Sequence, residues 1–265
     1  MATPFEPVVR EPRSAADRLL AVLSAFEQAH PTLALTDIAR RADLTLPTAH
    51  RLVATLTSWG ALERDETGLY QIGFRLWEVA ALAPRGVALR QAALPFLEDL
   101  YEATHENVHL AVRDGRDVVY IERLSGRSAI GVRSQIGARW PLHATGVGLV
   151  LLAHGPRELQ DRYCASELSA FTPFTLTDPA RLQRTLAEVR RSGVAVSDRQ
   201  ITRDALSVAA PVRGPRGDVV AAVSIVVPWE GAQTLALVPA VRLAGLGISR
   251  ALGWRPEIRR GHGSG

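Results

Sequence analysis

The segment LTLPTAHRLVATLTSWG at residues 44–60 decides the fold of the N-terminal part of this chain. Thr45 stands where a helix N-cap is expected, and Pro47 falls in the first turn, where its missing N–H costs nothing. Four aliphatic residues share one face of the resulting helix: Ala49, Leu52, Val53 and Leu56. The opposite face carries polar side chains: Thr48, Arg51 and Thr55, with His50 at the edge. The segment therefore predicts an amphipathic helix with one exposed, polar side.

The sequence on both sides of this helix completes a small domain. From Ser14 an apolar stripe predicts a first helix that runs to His30-Pro31. Residues 36–44, TDIARRADL, predict a short second helix, and residues 62–72 predict a hairpin after the third helix. Three helices followed by a hairpin within about 60 residues are typical of a winged helix-turn-helix.

The polar side of the third helix predicts contacts with DNA, because a helix-turn-helix places the start of its second helix in the major groove. Arg51 can pair bidentately with guanine there, whereas threonine makes single hydrogen bonds or a methyl contact with thymine. Residues of the preceding helix and of the wing would meet phosphates. The candidate DNA-binding residues are Arg40, Arg41, Thr45, Thr48, His50, Arg51, Thr55, Arg64 and Thr67. The pattern alone leaves open that these are solvated faces or protein contacts.

Beyond residue 73 the pattern changes to a mixture of helices and strands. Helical spacing covers residues 73–83 and, after Pro84-Arg85-Gly86, continues to about Thr104. Strands are predicted at residues 108–112, 118–122, 129–133, 194–197, 206–212 and 219–227. Further helices are predicted at residues 145–154, 178–192 and 233–252. The fold class is thus mixed α/β (α+β), with a mainly antiparallel sheet in the second domain.

Length and composition bound the possible functions. A chain of 265 residues suits two domains, and 47% hydrophobic with 22% charged residues is typical of a soluble globular protein. The first residues lack the apolar centre of a signal peptide, and no apolar run reaches the roughly 18 residues of a membrane span. These observations predict a cytoplasmic protein without membrane contact. Cys164 is the only cysteine, which excludes an intrachain disulfide and a cysteine-based zinc cluster.

Net charge gives little evidence about a nucleic-acid partner. The chain carries a net charge of +4, and all 31 of its basic residues are arginine. Residues 1–75 contain eight arginines against nine aspartates and glutamates, so the predicted DNA-binding domain is close to neutral. Contacts with DNA must therefore depend on where individual arginines lie rather than on a bulk field.

Five phrases, in this order along the chain, resemble the IclR family of bacterial transcriptional regulators. Residues 44–60 look like its recognition helix, and residues 68–73, GLYQIG, look like the end of its wing. Its effector-domain signatures are matched by residues 137–153, GARWPLHATGVGLVLLA, by 206–213, LSVAAPVR, and by the following strand 219–226, VVAAVSIV. The resemblance covers residues 14–252.

The resemblance implies a winged helix-turn-helix and a GAF-like effector-binding domain, joined by a linker helix that is used in dimerisation. It also implies a homodimer, or a dimer of dimers, on palindromic double-stranded DNA. No catalytic residue, metal or cofactor is expected. The expected boundaries are a disordered arm at residues 1–13, the winged helix-turn-helix at 14–74, the linker helix at 75–90, the effector-binding domain at 91–253 and a flexible tail at 254–265.

The resemblance further implies a small-molecule pocket between the sheet and the helices of the second domain. Carried over by position, its residues are Thr145, Gly146, Val147, Ser197, Ser207, Ser224 and Val226. The N–H groups of Gly146 and Val147 begin a helix, and a helix start attracts carboxylates. A few hydrogen-bonding groups in an otherwise apolar lining suit an aromatic or short aliphatic acid, so a small organic acid is the expected effector. Each serine taken alone could equally be a small strand residue that faces solvent or bonds to backbone.

Two positions depart from the family pattern in the segment SDRQITRDALSVAAP. Gln200 and Asp204 stand where the family usually has an acidic residue and a glycine. Because glycine at the second position would allow a positive φ angle, this loop is expected to differ from that of other members.

One motif favours a different class of protein. Residues 105–109, His-Glu-Asn-Val-His, satisfy the zinc-peptidase pattern H-E-x-x-H, which requires both histidines on one helical face. The alternation of residues 108–112 predicts instead that His109 lies in a strand, after the helix that His105 ends. Four residues of strand span about 13 Å, too far for one metal ion to bind both rings. A further alternative is a DNA-free ligand-binding protein in which the N-terminal module only dimerises.

Overall fold

The computed structural model describes residues 14–27, 29–83, 86–126, 131 and 135–255. Contacts between residues divide the chain into two units, residues 1–84 and residues 85–265. This division falls inside the expected linker at residues 75–90. The expected arm at residues 1–13, most of the expected strand at 129–133 and the tail beyond residue 255 lie outside the described residues.

The N-terminal unit combines four helices with a small sheet in its described part. The helices are α1 (Ala15–Ser24), α2 (Leu35–Arg41), α3 (Leu46–Trp59) and α4 (Phe74–Ala80). The strands β1 (Thr32–Leu33), β2 (Leu62–Arg64) and β3 (Tyr70–Ile72) form an antiparallel sheet in the order β1-β3-β2. The three helices and the β2–β3 hairpin confirm the predicted winged helix-turn-helix. Strand β1 was not predicted, since two residues carry no periodicity.

Helix α1 begins at a capping box and ends earlier than the sequence predicts. The Ser14 hydroxyl accepts a hydrogen bond from the Asp17 N–H at 3.1 Å, and the Asp17 carboxylate accepts one from the Ser14 N–H at 3.0 Å. The helix ends at Ser24 rather than at His30. Glu27 and His30 pair through their backbones at 2.8 and 3.4 Å, so the chain turns before it reaches the proline.

Helix α3 places its apolar side in the core of the N-terminal unit, as predicted. Leu52, Val53 and Leu56 pack there with residues of α1 and α2. The helix ends at Trp59, and its C-cap Gly60 has a left-handed φ of 86°. The start of α4 lies against this end, because a Cβ added to Gly73 would stand 2.2 Å from the Gly60 carbonyl oxygen. Only glycine therefore fits at residue 73 without a backbone shift.

The C-terminal unit is built on one antiparallel sheet. Its helices are α5 (Val87–Thr104), α6 (Gly146–Ala153), α7 (Arg157–Cys164), α8 (Pro179–Ser192) and α9 (Thr234–Ala251). Its strands are β4 (Asn107–Asp114), β5 (Asp117–Leu124), β6 (Arg139–Pro141), β7 (Ala195–Asp198), β8 (Ala205–Arg213) and β9 (Val219–Pro228). The strand order is β6-β5-β4-β9-β8-β7, and every neighbouring pair is antiparallel. The mixed helix and strand content and the antiparallel sheet agree with the predicted fold class.

Helices cover both faces of this sheet. On one face, α6, α7 and α8 form a core that includes Leu149 and Leu186. On the other face, α5 and α9 form a second core that includes Leu97 and Ile248. Because the central strands are buried on both sides, they are almost continuously apolar, which explains why the sequence predicts them well.

Two elements of the C-terminal unit were not predicted. Helix α7 is mostly polar and buries only Tyr163 and Cys164, so it has no apolar stripe to detect. Strand β6 is three residues long and lies at the edge of the sheet. Helix α4 ends at Ala80 and α5 begins at Val87, so the helical pattern is interrupted near Pro84-Arg85-Gly86, as the sequence predicts.

Helix α9 is long and apolar enough to cross a membrane when judged by length and composition alone. Its apolar residues Val241 and Ile248 are nevertheless fully buried in the core that α9 shares with α5 and the sheet. Arg242 lies on the exposed side and donates a hydrogen bond to the Ser192 carbonyl oxygen. The helix therefore covers one face of the domain core.

Candidate DNA-binding face and effector pocket

The polar side of α3 is open to solvent. His50 and Arg51 are exposed, and neither side chain makes a hydrogen bond within the described part of the chain. The half-buried Thr48 accepts a hydrogen bond from Thr45 at 2.9 Å, and the exposed Thr55 donates one to the Arg51 carbonyl oxygen at 3.0 Å. The threonine hydroxyls are thus tied to the helix, whereas the imidazole and the guanidinium can reach outward.

The start of α3 has no side-chain cap. Thr45 occupies the N-cap position, as predicted, but its hydroxyl bonds to Thr48 rather than to a backbone N–H. Because the first N–H groups of a helix have no intrahelical acceptor, those of α3 remain available to an anion such as a phosphate.

The two arginines at the end of α2 are placed differently. Arg40 is exposed and lies 3.0 Å from Asp37, in an ion pair that solvent weakens. The Arg41 side chain is only 21% exposed, and its guanidinium lies 3.6 Å from the Glu27 carboxylate and donates to the Ala25 carbonyl oxygen at 3.4 Å. These contacts hold Arg41 against the end of α1. The Arg41 guanidinium is therefore less free to reach DNA than that of Arg40, and a DNA contact by either arginine stays a prediction.

The wing between β2 and β3 is organised by one carboxylate. Asp65 accepts hydrogen bonds from the Thr67 hydroxyl at 2.7 Å and from the N–H groups of Thr67 and Leu69, each at 2.9 Å. These hydrogen bonds, that of the Thr67 hydroxyl first, lower the pKa of Asp65 below its usual value. Arg64 is exposed and donates to the Gly68 carbonyl oxygen at 3.0 Å. Arg64 and Thr67 therefore stand on a turn of fixed shape.

A pocket opens between the sheet of the C-terminal unit and the start of α6. It holds about 490 Å³ of space that no protein atom fills, its open mouth included. Most of the predicted effector residues line it: Thr145, Gly146, Ser197, Ser207 and Val226. The described residues of the lining include hydroxyls, one amide and aromatic rings but no ionised side chain.

Two predicted effector residues do not line this pocket. Val147 follows Gly146 on α6, where the turn of the helix directs its side chain into the core, and it is 1% exposed. Ser224 pairs with Ala209 and His109, one row deeper in the sheet than Val226, and is also 1% exposed. Both side chains are therefore too deep to be lining residues.

The start of α6 supplies backbone donors to the pocket. Thr145 is the N-cap, and its hydroxyl accepts a hydrogen bond from the Gly148 N–H at 3.0 Å. The N–H groups of Gly146 and Val147 precede the first intrahelical hydrogen bond, from Leu149 to Thr145, and are the groups that an anion would meet. A Cβ added to Gly146 would stand 2.9 Å from the Ser207 Oγ, so glycine allows this close approach.

The floor of the pocket is a row of residues across three strands. Ser197, Ser207 and Val226 are directly opposite one another in the β7–β8–β9 register, so their side chains point to the same face. The Ser197 hydroxyl donates to the Ala144 carbonyl oxygen at 3.3 Å. Ser207 makes no side-chain hydrogen bond within the described chain, which leaves its hydroxyl for a ligand.

Two buried rings support this floor. Tyr120 lines the pocket, and its ring meets the His109 ring edge-on with 5.2 Å between centroids. Burial raises the pKa of Tyr120 well above its usual value, an effect that a hydrogen bond with Thr145 partly opposes. Burial, with a smaller contribution from the positive charge of Arg123, lowers the pKa of His109 to about 3. Near neutral pH the phenol is therefore protonated and the imidazole is neutral.

The H-E-x-x-H motif does not form a helical metal site. His105 caps the end of α5 with a left-handed φ of 52°, whereas His109 is buried in β4. The two histidines thus lie on different elements, as the alternation of residues 108–112 predicts. No group of three or more potential metal ligands is found among the residues that the structure describes.

The loop between β7 and β8 borders the mouth of the pocket and carries both departures from the family pattern. Its positive φ of 53° occurs at Arg199 rather than at Asp204, so an aspartate at that position is not strained. The Arg199 guanidinium lies between the rings of Phe174 and Trp229, 3.8 and 4.0 Å from their centroids. These contacts fix the loop that carries Gln200.

Sequence reasoning missed several residues of the lining. Tyr120 and Trp140 come from β5 and β6, and residues 200–202 come from the β7–β8 loop. Alternation along β8 could have identified Ala205, which shares a face with Ser207. The loop residues had no local signal, since only the pairing of distant strands brings them to the pocket.

Comparison with known proteins identifies both units. Residues 15–66 match the family model of the IclR helix-turn-helix domain, and residues 82–250 match that of the bacterial transcriptional regulator IclR C-terminal domain. The chain is 33% identical over 243 residues to the HTH-type transcriptional regulator XynR of Escherichia coli, covering 90% of this chain and 96% of that protein. It is 30% identical over 257 residues to the HTH-type transcriptional repressor AllR of Klebsiella pneumoniae, covering 95% and 94%.

Solved structures agree with this result. An IclR homolog from Microbacterium hydrocarbonoxydans, crystallised in complex with 4-hydroxybenzoate, superposes with a TM-score of 0.85 at 36% identity, covering 90% of this chain and 99% of that one. The IclR protein of Thermotoga maritima superposes with a TM-score of 0.73 at 27% identity, covering 91% and 97%. The helix-turn-helix therefore serves DNA binding in transcription regulation, and the C-terminal unit is a ligand-binding domain. The chain belongs to the IclR family of bacterial transcriptional regulators.

Proposed function

We propose that this regulator reads operator DNA through the polar side of α3 and that a small organic acid in the C-terminal pocket changes its affinity for the operator. The observation that carries the first half is the exposure of His50 and Arg51 on the side of α3 opposite its buried stripe. The donor-rich, uncharged lining of the pocket carries the second half. The protein then acts in the cytoplasm as a non-catalytic regulator, without metal or cofactor.

On DNA, the two classes of contact have separate roles. Arg51 and His50, helped by Thr48 and Thr55, meet base edges in the major groove and provide sequence specificity. The uncapped start of α3, Arg40 and the wing residues Arg64 and Thr67 meet phosphates and provide affinity. The near-neutral charge of residues 1–75 agrees with such local contacts.

A homodimer, or a dimer of dimers, on palindromic DNA fits the surface of α4. Phe74 and Trp77 are each 63% exposed and stack with 5.3 Å between their centroids, and Leu82, just beyond the helix, is 80% exposed. Large exposed apolar side chains of this kind mark protein–protein contacts. In this proposal a second copy of the chain covers them.

The effector is a compact carboxylate in this proposal. With no ionised residue among the described lining, its carboxylate is held by the N–H groups at the start of α6 and by hydroxyls such as that of Ser207. Tyr120 and Trp140 offer ring surfaces to an aromatic acid. The relative from Microbacterium hydrocarbonoxydans that was crystallised with 4-hydroxybenzoate makes a single-ring acid the first compound to test.

The DNA-binding half is tested by Arg51→Ala in a gel-shift titration on an operator fragment. Loss of one bidentate base contact should weaken binding about tenfold to hundredfold. Arg184→Ala, an exposed arginine on α8, serves as the matched control and should bind as the wild type. Unchanged affinity of Arg51→Ala would contradict the assignment. A DNA-free ligand-binding protein would show no affinity that falls steeply with salt.

The effector half is tested by calorimetric titration of the full chain with single-ring aromatic acids, including 4-hydroxybenzoate, and with short aliphatic acids. Ser207→Val removes a hydroxyl from the pocket floor and should weaken binding of the acid about fivefold. Thr185→Val on α8 lies outside the lining and is the matched control. If no acid binds, or if Ser207→Val binds as tightly as the wild type, the proposal for the effector fails.

A further inference from the structure

The orientation of the Gln200 side chain in the pocket is determined by a hydrogen bond to the backbone. Its side chain is 5% exposed and lines the pocket, although it comes from the β7–β8 loop. The Leu176 N–H lies 3.3 Å from the Gln200 Oε1. Because a backbone N–H can only donate, the amide oxygen must face Leu176. The Nε2 group, with two donor hydrogens, is then the end of the amide that is left for the pocket.

No described residue accepts a hydrogen bond from this Nε2 group. This Nε2 group is open to the pocket rather than enclosed in the core. A ligand that shields it from water without accepting its hydrogen bond leaves the donor unsatisfied, which costs free energy. The amide therefore favours a ligand that carries an acceptor at this place. It disfavours a ligand that presents an apolar group or a donor there.

The segment 171–176 holds Gln200 in this orientation. The Thr172 hydroxyl donates to the Arg199 carbonyl oxygen at 2.6 Å, and the Thr175 hydroxyl donates to the Gln200 carbonyl oxygen at 2.7 Å. The Thr175 hydroxyl in turn accepts from the N–H groups of Phe171 and Thr172, each at 3.0 Å. Backbone and side chain of Gln200 are thus fixed before a ligand arrives, which limits the ordering cost of binding.

The strand register places Gln200 at the end of the pocket away from α6. The Arg199 N–H donates to the Ala205 carbonyl oxygen at 2.9 Å, so this loop lies beside Ala205. Ala205 precedes Ser207 by two residues on one face of β8, about 6–7 Å along the strand. Ser207 is the residue that Gly146 of α6 approaches closely. A six-membered ring with two para substituents can bridge these two ends.

We propose that Gln200 determines effector specificity by donating a hydrogen bond from Nε2 to an acceptor at the end of the ligand remote from its carboxylate. This inference rests on the proposed binding of an organic acid. It defines the substrate class further, as a single-ring carboxylate whose para substituent accepts a hydrogen bond.

The test measures the Kd of the full chain for three benzoates whose para groups have similar size. These are 4-hydroxybenzoate, 4-methylbenzoate and 4-aminobenzoate, titrated by calorimetry. The wild type should bind the hydroxy acid about threefold to tenfold more tightly than the methyl acid, the contribution of one hydrogen bond. In Gln200→Leu this preference should disappear or reverse.

Gln200→Glu provides the second variant, because a glutamate can still accept from the Leu176 N–H but presents an acceptor to the pocket. This variant should bind 4-aminobenzoate more tightly than 4-methylbenzoate, whereas the wild type should not. Arg203→Ala, at an exposed position of the same loop outside the lining, is the control and should keep the wild-type preference. The melting temperature of each variant checks that the domain is folded.

The outcomes separate this inference from the function on which it rests. If the wild type binds none of the three acids, both the organic-acid effector and the role of Gln200 are overturned. If the acids bind but Gln200→Leu keeps the wild-type preference, only the role of Gln200 is overturned. Equal weakening of all three acids by Gln200→Leu would place the amide at the carboxylate and would overturn the assignment to the far end.

Discussion

The two candidate binding regions of this regulator are built in opposite ways. The DNA-binding face presents side chains of one helix outward, and the side chains of His50 and Arg51 make no hydrogen bond within the described chain. The effector pocket draws its lining from several strands, a helix start and a loop, and hydrogen bonds hold this loop against residues 172–176. The outer surface can adapt to a long, charged partner, whereas the pocket fixes its donors before the ligand enters.

Each region is therefore sensitive to a different kind of change. A surface of long side chains on a firm helix depends on the packing behind it, which here includes the close approach of Gly60 and Gly73. A fixed pocket depends on its shape and on the few polar atoms inside it. Changes that affect one region should therefore leave the other nearly intact.

The largest expected effect is a loss of stability that is confined to the N-terminal unit. Gly73→Ala places a methyl group 2.2 Å from the Gly60 carbonyl oxygen, so the ends of α3 and α4 must move apart. We expect a loss of about 3 kcal/mol in the free energy of unfolding of this unit and a clear loss of operator affinity. Calorimetric binding of the organic acid should be unchanged. A variant with wild-type operator affinity would show that the glycine contact is dispensable.

The second effect is confined to the pocket. Gly146→Val should weaken acid binding about hundredfold, because the Cβ meets Ser207 at 2.9 Å and the methyl groups fill the space at the start of α6. Operator binding without effector should stay at the wild-type level in a gel-shift assay. Gly131→Val, at a glycine with open space around it, is the matched control. Equal effects of both variants on acid binding would contradict the placement of the ligand.

A third, smaller effect is the sensitivity of the C-terminal unit to acid. The pKa of His109 is about 3 in the folded protein against an ordinary value of 6.5, so folding favours the neutral ring. The contribution of this group to the free energy of unfolding therefore does not change with pH above pH 6.5. It decreases as the pH falls from 6.5 towards 3, by up to about 1.4 kcal/mol per pH unit. Burial lowers the pKa values of His143 and His154 as well, with the same sign.

Urea unfolding of the full chain at pH 7.5 and at pH 5.5 measures this dependence. His109→Gln should be less stable than the wild type at pH 7.5 but should lose less stability on going to pH 5.5. A variant with the same pH dependence as the wild type would show that His109 is not the group responsible.

The smallest effect concerns the first helix of the N-terminal unit. Ser14→Ala removes the hydroxyl of the capping box at α1, and we expect it to cost about 1 kcal/mol of stability. Because α1 packs behind α3 rather than on its polar side, operator affinity should change less than twofold at a temperature where the unit is folded. Thermal unfolding and a gel-shift titration of the same sample provide both values.

Local periodicity explains what the sequence could predict. An apolar stripe predicts the buried face of α3: Ala49, Leu52, Val53 and Leu56. The nearly continuous apolar residues of the core strands predict burial on both sides of the sheet. The end of α1, strand β1 and helix α7 were missed because a tight turn, a two-residue pairing and a polar surface helix leave no periodic signal. The ion pair between Arg41 and Glu27 could not be predicted, because it depends on how the chain after α1 approaches α2.

The pocket was predictable only where the family resemblance reached. Thr145, Gly146, Ser197, Ser207 and Val226 line it, whereas Val147 and Ser224 lie too deep. The burial of Val147 and Ser224 depends on the phase of the helix and on the register of the strands, which the local sequence pattern does not specify. Gln200 could be noted as a departure from the family pattern, but its orientation follows from a hydrogen bond with Leu176, a residue of a different loop.

The absence of ionised side chains from the described pocket lining has a consequence for how the cell's ionic strength affects this regulator. Salt strongly weakens contacts with DNA phosphates, because each such contact releases counterions from the duplex. A ligand that is held by amide and hydroxyl dipoles inside a small cavity is screened much less. When osmotic stress raises the ionic strength inside the bacterium, the affinity of the regulator for its operator should therefore fall. The concentration of acid at which half of the pockets are occupied should stay nearly constant.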